Sequence, residues 1–587
     1  MNARKSKITV LFIIILFLVL IFIAAFAYRA TDITRNTDYV DEHSKGNTAL
    51  RGRIISADGF SLASSRKVYE TKIDTRFLNA ENKELFIKLY SIYTGENPAK
   101  IRAIIKKGRG TVTLSEDLDA RTATYLRQLQ SKNYIFFISK PKQNGQGLLL
   151  KGLDVLEKSQ LREYTMSNAL APVVGYINSQ GKKKGVENFY DDYLSNRADG
   201  KFEGSRDVRR NVVVHKMGDV KDRIDGYDVR LGVPLSLQVM IEAILDEQKE
   251  FLQAKEIVAA VMDSATGQII SLASSNRFNP SRIKQSQISY LDATVAERPY
   301  EPGSIMKPFV FSLLLEHKGF NPFKLVNTHN GRYKLGKTTV VDTHPEPYMS
   351  AEDVIVYSSN IGMIELSDML SGKELDDGLR KFGFGAISGV DLPNEKTGII
   401  PSPNQLNSKI YRATVSYGYG LSVTFMQLLK AYNAFNNKGI EVRPHLATSL
   451  LRASNEYELD FSGGTQVISQ EVAKIMKRIL IKTVEKGTGA KARTAGIEVG
   501  GKTGTAHIAE GGGYANRYNG SFFGFANDAS GHRYTIGVWC KEPRKKGYYF
   551  GALAALPSFK KIVDTLVNEG YLIPSISADE QSSQNKK

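Results

Sequence analysis

From Ile8 to Tyr28 no charged residue interrupts the chain, and Arg4, Lys5 and Lys7 stand just ahead of this run. As a helix such a stretch crosses a bilayer, and the short basic lead holds the N-terminal side in the cytoplasm. The expectation is a cytoplasmic tail over 1–7, a transmembrane anchor over 8–28 and an exported remainder. Ala25-Phe26-Ala27 resembles a signal-peptide cleavage site. The apolar core of a signal peptide is about 7–15 residues long, however, and this run is longer, so an uncleaved anchor is the reading adopted.

Export and composition narrow the chemistry. The single cysteine, Cys540, excludes an internal disulfide, and no Cys/His cluster has metal-ligand spacing, so no cofactor is expected. The formal net charge is +18, but the basic residues are dispersed, with short clusters such as Lys106-Lys107, Lys182 to Lys184 and Arg544 to Lys546. That pattern fits attraction to anionic headgroups and wall polymers, or a plain solvated surface, rather than nucleic acid. Gly496-x-x-x-x-Gly501-Lys502-Thr503 satisfies the phosphate-loop pattern, which requires a helix straight after the lysine. Here the chain continues Gly-Thr-Ala-His-Ile-Ala-Glu-Gly-Gly-Gly-Tyr, which opens no helix.

With 587 residues, 42% of them hydrophobic, the chain can build several cores. Residues 31–50 are polar and read as a stalk. Arg51 to Ala63 then reads as strand, turn at Asp58-Gly59 and return strand. Segment 29–225 carries no catalytic constellation and is assigned as stalk and non-catalytic domain. A second domain is expected over 226–572, and a disordered tail over 573–587. In the second domain a helix near Leu235 to Ala254 precedes Ile257 to Met262, the turn Ala265-Thr-Gly267 and Gln268 to Ala273. Helices on an antiparallel sheet, an α+β fold, follow from this order.

Three short motifs fall within that domain: Ser304-Ile-Met-Lys307, Ser358-Ser-Asn360 and Lys502-Thr503-Gly504. Singly each is close to noise. S-x-x-K also occurs at Ser64 to Lys67, Ser281 to Lys284 and Ser558 to Lys561, and a second K-T-G stands at Lys396-Thr397-Gly398. Context separates them. Pro302-Gly303 makes a turn before Ser304, and the apolar run behind it reads as a buried helix on which Lys307 shares the face of Ser304. Pro308 is tolerated in a first helical turn, so Ser304 would stand at a positive helix end. Lys502 lies among short alternating apolar residues and glycines, a strand whose backbone can approach a ligand closely. Lys396 reads as a surface loop.

In order, these motifs resemble the signature of penicillin-recognising serine enzymes. Behind a membrane anchor and a non-catalytic domain, the chain is similar to the class B penicillin-binding proteins. Arg51-Gly52 to Leu62-Ala63 resembles the family's first pedestal motif, with Ser56 and Ala57 where the family usually has Asp-Arg. Val174-Gly-Tyr176 and Gly185-Val-Glu-Asn188 resemble later pedestal motifs. Glu301 to Pro308, Ser416 to Gly420 and Tyr548 to Pro557 are most similar to the division-specific, FtsI-type transpeptidases, the elongation-specific enzymes being the alternative.

The resemblance implies an elongated pedestal domain, a C-terminal penicillin-binding transpeptidase domain, and a single-pass inner-membrane protein with its catalytic domain in the periplasm. It also implies peptidoglycan stem peptides as substrates and β-lactams as inhibitors. An FtsW-type glycosyltransferase, other divisome proteins and the inner membrane are the implied partners. Ser304 is the implied nucleophile, Lys307 its base, Ser358 the proton relay to the leaving amine, and Asn360 the residue that holds Lys307 and substrate. Lys502, Thr503 and Thr505 would take the substrate carboxylate, Gly504 would let the strand come close to it, and the Ser304 and Thr505 N–H groups would form an oxyanion hole. A D,D-carboxypeptidase or β-lactamase could use the same motifs, and a β-lactam sensor is a third reading.

Overall fold

The computed structural model describes residues 2–37, 43–78, 80–139, 152–178, 180–206, 212–214, 220–511 and 513–575. A helix runs over Asn2–Thr37, and its segment Thr9–Arg29, with mean hydropathy 3.5, is long and apolar enough to cross a membrane. It continues past the expected end at Tyr28, because Arg29 to Thr37 contains neither glycine nor proline to stop it. Of the tail expected over 573–587, residues 576–587 lie outside the described residues.

The chain divides into two compact units, one of residues 1–50, 67–160 and 196–225, the other of 51–66, 161–195 and 226–587. The first unit is held by a core of its own. Phe86, Ile87 and Tyr90 of the helix Ala80–Thr94 meet Ile101 and Ile105 of the helix Pro98–Lys107 and Leu114 and Leu118 of the strand Thr111–Leu118.

Residues 51–66 and 161–195, which the sequence reading assigns to the 29–225 segment, belong with the second unit. The two segments are first tied to each other, and then to the later chain. Arg51 Nε and Arg162 Nε donate to opposite oxygens of the fully buried Glu187 carboxylate, at 2.9 and 2.6 Å. Ile54, Leu62, Val173 and Val174 share a continuous apolar core with residues of the later chain. In the turn after Ile54–Ile55, Ser56 Oγ donates to Asp58 Oδ1 at 2.6 Å. Asp58 in turn accepts from the Leu235 and Ser236 N–H groups, at 2.9 and 3.1 Å. It thus caps the helix Leu235–Leu252, α1, whose own N-cap Pro234 makes no side-chain cap bond.

The second unit is an α+β domain. After α1 come β1 (Glu256–Asp263) and β2 (Ile269–Ser274), and then the helices α2 (Lys307–Lys318), α3 (Ala351–Val356), α4 (Asn360–Ser367), α5 (Phe425–Asn436) and α6 (Gln470–Lys486). β3 (Glu498–Glu510), β4 (Gly513–Asn527), β5 (Arg533–Lys541) and α7 (Leu556–Asn568) close the domain. The sheet order is β2-β1-β5-β4-β3, antiparallel throughout. Both faces are covered, which is why β1 is buried almost without alternation. Ile257, Ala259 and Val261 face the layer of α1 and α7, where they share a core with Ile241, Leu245, Phe559 and Ile562. Val258, Ala260 and Met262 face the larger core of α2 and α5.

Phe309 anchors α2 in that second core. Its ring lies 5.0–5.2 Å, centroid to centroid, from Phe382, Phe384, Tyr432 and Phe435. Such ring pairs contribute about 0.5–1.5 kcal/mol each beyond area burial. The helix that follows Ser304 therefore starts from a stiff base, and Tyr432 adds a hydroxyl donated to Ile305 O at 2.7 Å.

Candidate active site

Ser304 lies in a single tight turn, Gly303–Met306, that leads directly into α2 with Pro308 in its first turn. The turn depends on Gly303. Its φ is +63°, and a Cβ there would lie 2.8 Å from Thr505 O. Gly303 N also donates to Gly418 O at 2.9 Å. The first motif is thereby seated against β3 and the 416–420 loop, with Ser304 half-buried at the seam.

Lys307 and Lys502 are both fully buried, and their amines meet at one hydroxyl. Lys307 Nζ donates to Ser358 O at 2.6 Å and to Ser358 Oγ at 3.2 Å. Lys502 Nζ donates to the same Oγ at 2.8 Å and to Thr503 O at 3.0 Å. Ser358 itself adopts φ +63°, a conformation that a residue with a Cβ seldom takes outside functional or tightly held sites. Ser359, not Ser358, caps α4, accepting from Gly362 N at 2.8 Å, so the Ser358 hydroxyl is left to the lysines. Asn360 opens α4 half-buried, and its backbone N–H donates to Asp342 Oδ1 at 2.7 Å. The hydrogen bonds of Lys307 go to Ser358 rather than to Asn360.

The third motif runs along β3. Thr503 Oγ1 donates to Thr488 Oγ1 at 2.9 Å, and Thr505 Oγ1 accepts from Gly551 N at 2.9 Å. Gly504 is required by proximity: a Cβ would meet Ser521 Oγ at 2.6 Å and Ile305 at 2.9 Å. Sequence reasoning missed Asp342, Ser359 and Thr488. Ser359 carried a local signal, a serine three residues before Gly362 at a helix start, whereas Asp342 and Thr488 reach the site only through tertiary contacts.

Electrostatics follow from the burial. Loss of hydration pushes the Lys307 amine down to about 7, opposed by the negative charge of Asp342. Burial, and after it the charge of Lys307, drive Lys502 well below the ordinary lysine range. At the rim, Glu301 Oε1 accepts from Gly420 N at 2.8 Å and from the Tyr514 hydroxyl at 3.3 Å. Burial raises the Glu301 carboxyl. Tyr419, whose hydroxyl accepts from His507 N at 3.1 Å, packs edge-on to Tyr514 beside it.

The competing copies lie elsewhere. Ser281 and Lys284 are exposed, and Lys396 is exposed in a loop. Gly496 to Thr503 leads into a strand that continues to Glu510, not into a phosphate-binding helix.

Residues 257–564 match the family described as penicillin binding protein transpeptidase domain, and residues 47–231 the penicillin-binding protein dimerisation domain. The probable peptidoglycan D,D-transpeptidase PenA of Neisseria meningitidis is 29% identical over 468 residues, 79% of this chain and 74% of that protein. Penicillin-binding protein PbpB of Mycobacterium tuberculosis is 27% identical over 542 residues, 88% and 78% of the two chains. The fold also matches the crystal structure of Mycobacterium tuberculosis penicillin binding protein 3 complexed with ampicillin. That likeness has a TM-score of 0.66 and 24% identity, and covers 91% of this chain and 98% of that one.

Proposed function

The chain belongs to the class B penicillin-binding proteins, peptidoglycan D,D-transpeptidases, and on that premise we propose that it cross-links stem peptides in septal wall synthesis through an acyl-enzyme on Ser304. The observation that carries the chemistry is the convergence of Lys307 and Lys502 on one serine hydroxyl, next to the turn that presents Ser304. Neutral Lys307 takes the Ser304 proton as the oxygen attacks the carbonyl of the penultimate D-alanine. The developing oxyanion is held by the Ser304 and Thr505 N–H groups. Ser358, bonded to both amines, passes a proton to the departing terminal D-alanine, whose carboxylate is taken by Lys502, Thr503 and Thr505. A carboxylate bound there favours the charged form of Lys502 against its burial. Asn360 positions the peptide. An amine of a second stem then takes the acyl group, and a β-lactam, whose leaving group stays attached, stalls at this step.

The septal assignment rests on Glu301 to Pro308, Ser416 to Gly420 and Tyr548 to Pro557. In this reading the N-terminal helix is an uncleaved inner-membrane anchor that places the catalytic unit in the periplasm and offers Leu11 to Phe26 to an FtsW-type glycosyltransferase. Depletion in growing cells tests it: filaments are expected, and rounding would assign the protein to lateral wall growth. Rapid turnover of a chromogenic β-lactam, in place of a long-lived adduct, would favour a hydrolase.

A further inference from the structure

Asp342 takes no part in the three motifs, yet it is only 6% exposed and turned into the site. It follows the strand pair Arg332–Leu335 and Thr338–Val341, and its N–H donates to Gly331 O at 3.0 Å. Its carboxylate grips the start of α4. Oδ1 accepts from the Asn360 and Ile361 N–H groups, at 2.7 and 3.3 Å, and Oδ2 accepts from Ser359 Oγ. Ser359 in turn accepts from Gly362 N.

The first N–H groups of α4 are thus satisfied from two directions, one of them a carboxylate at the positive end of the helix. Immediately before them stands Ser358 with its left-handed backbone, tied on its other side by Ser358 N donating to Ile355 O at 3.2 Å and Ser359 N donating to Val354 O at 2.9 Å. A strained residue persists only where its surroundings over-determine it. On the helix side, those surroundings are Asp342.

We propose that Asp342 is the positioning residue of the second motif: by clamping Ser359, Asn360 and Ile361 it holds the Ser358 hydroxyl between the two lysines and supplies the negative charge that faces Lys307. The proposal rests on the acyl-enzyme reading. Among the described residues, the charged groups facing Lys307 are Asp342 and, from β3, Lys502, with the Ser358 hydroxyl and carbonyl between. Removing the charge of Asp342 disfavours protonated Lys307, so the pH at which the base becomes neutral must fall.

The test is the rate of penicillin acylation against pH for the full chain and for Asp342→Asn and Asp342→Ala. An asparagine keeps an acceptor for Asn360 N but loses the charge. For Asp342→Asn the plateau rate should fall by about tenfold or less, and the acid midpoint should move to lower pH than in the wild type. Asp342→Ala, lacking the acceptor as well, should acylate more slowly than the asparagine variant. A slow Asp342→Asn with an unmoved midpoint would mean that Asp342 is only structural and would overturn the proposal, as would wild-type rates in both variants. Absence of any adduct on the wild type would instead sink the acyl-transfer reading on which the proposal stands.

Discussion

A lysine amine with no exposed surface is expensive to charge, and Lys307 is such an amine, lowered to about 7 by burial. Acylation should therefore rise with pH through that value, since the proton of Ser304 can pass only to a neutral amine, and should be lost as pH falls below it. Lys307→Arg should be nearly inactive at every accessible pH, because a guanidinium keeps its charge. Stopped-flow acylation with a chromogenic β-lactam measures both. Substantial activity in Lys307→Arg would move the base elsewhere, first to Ser358. At this scale the residue types and their order are legible in the chain, but the sharing of Ser358 Oγ by two amines is not. A motif states which residues are present, whereas the positive φ of Ser358 and the cap made by Ser359 emerge from the fold around them.

Among elements, β3 and α2 do most of the placing. The strand around Lys502 can be read from its alternation and glycines, and the helix after Ser304 from its apolar run. Both stand near their expected positions, as do α1, β1 and β2. What cannot be read is the cradle of other elements, because Asp342, Thr488 and Tyr432 reach the site through contacts distant in sequence. The two K-T-G copies give a direct test. Lys502→Ala should slow acylation by about 10–100-fold, the worth of a lost charge-assisted hydrogen bond. Lys396→Ala, in an exposed loop, should stay within about twofold of the wild type. Reversal of the two effects in the same acylation assay would displace the site from β3.

Over the whole molecule, the expected boundary near residue 225 lies beside the end of the family match over 47–231, yet the chain packs across it. Residues 51–66 and 161–195 are tied to each other by the Arg51–Glu187–Arg162 cluster and join the catalytic unit through a shared apolar core and the Asp58 cap on α1. Segments that return to a unit from far away in sequence leave no local trace, so a linear reading assigns them to their neighbours. Glu187→Ala would take from buried Arg162 the carboxylate it pairs with, while Arg51 keeps Asp191 at 2.6 Å, and should destabilise the catalytic unit by about 3 kcal/mol, visible as a lowered denaturation midpoint. That this architecture presents Ser304 as the acylated nucleophile is tested most directly by intact-mass measurement after exposure to penicillin. The wild type and Ser281→Ala should each gain a single adduct located on Ser304, and folded Ser304→Ala should gain none. An adduct on Ser304→Ala would contradict that role.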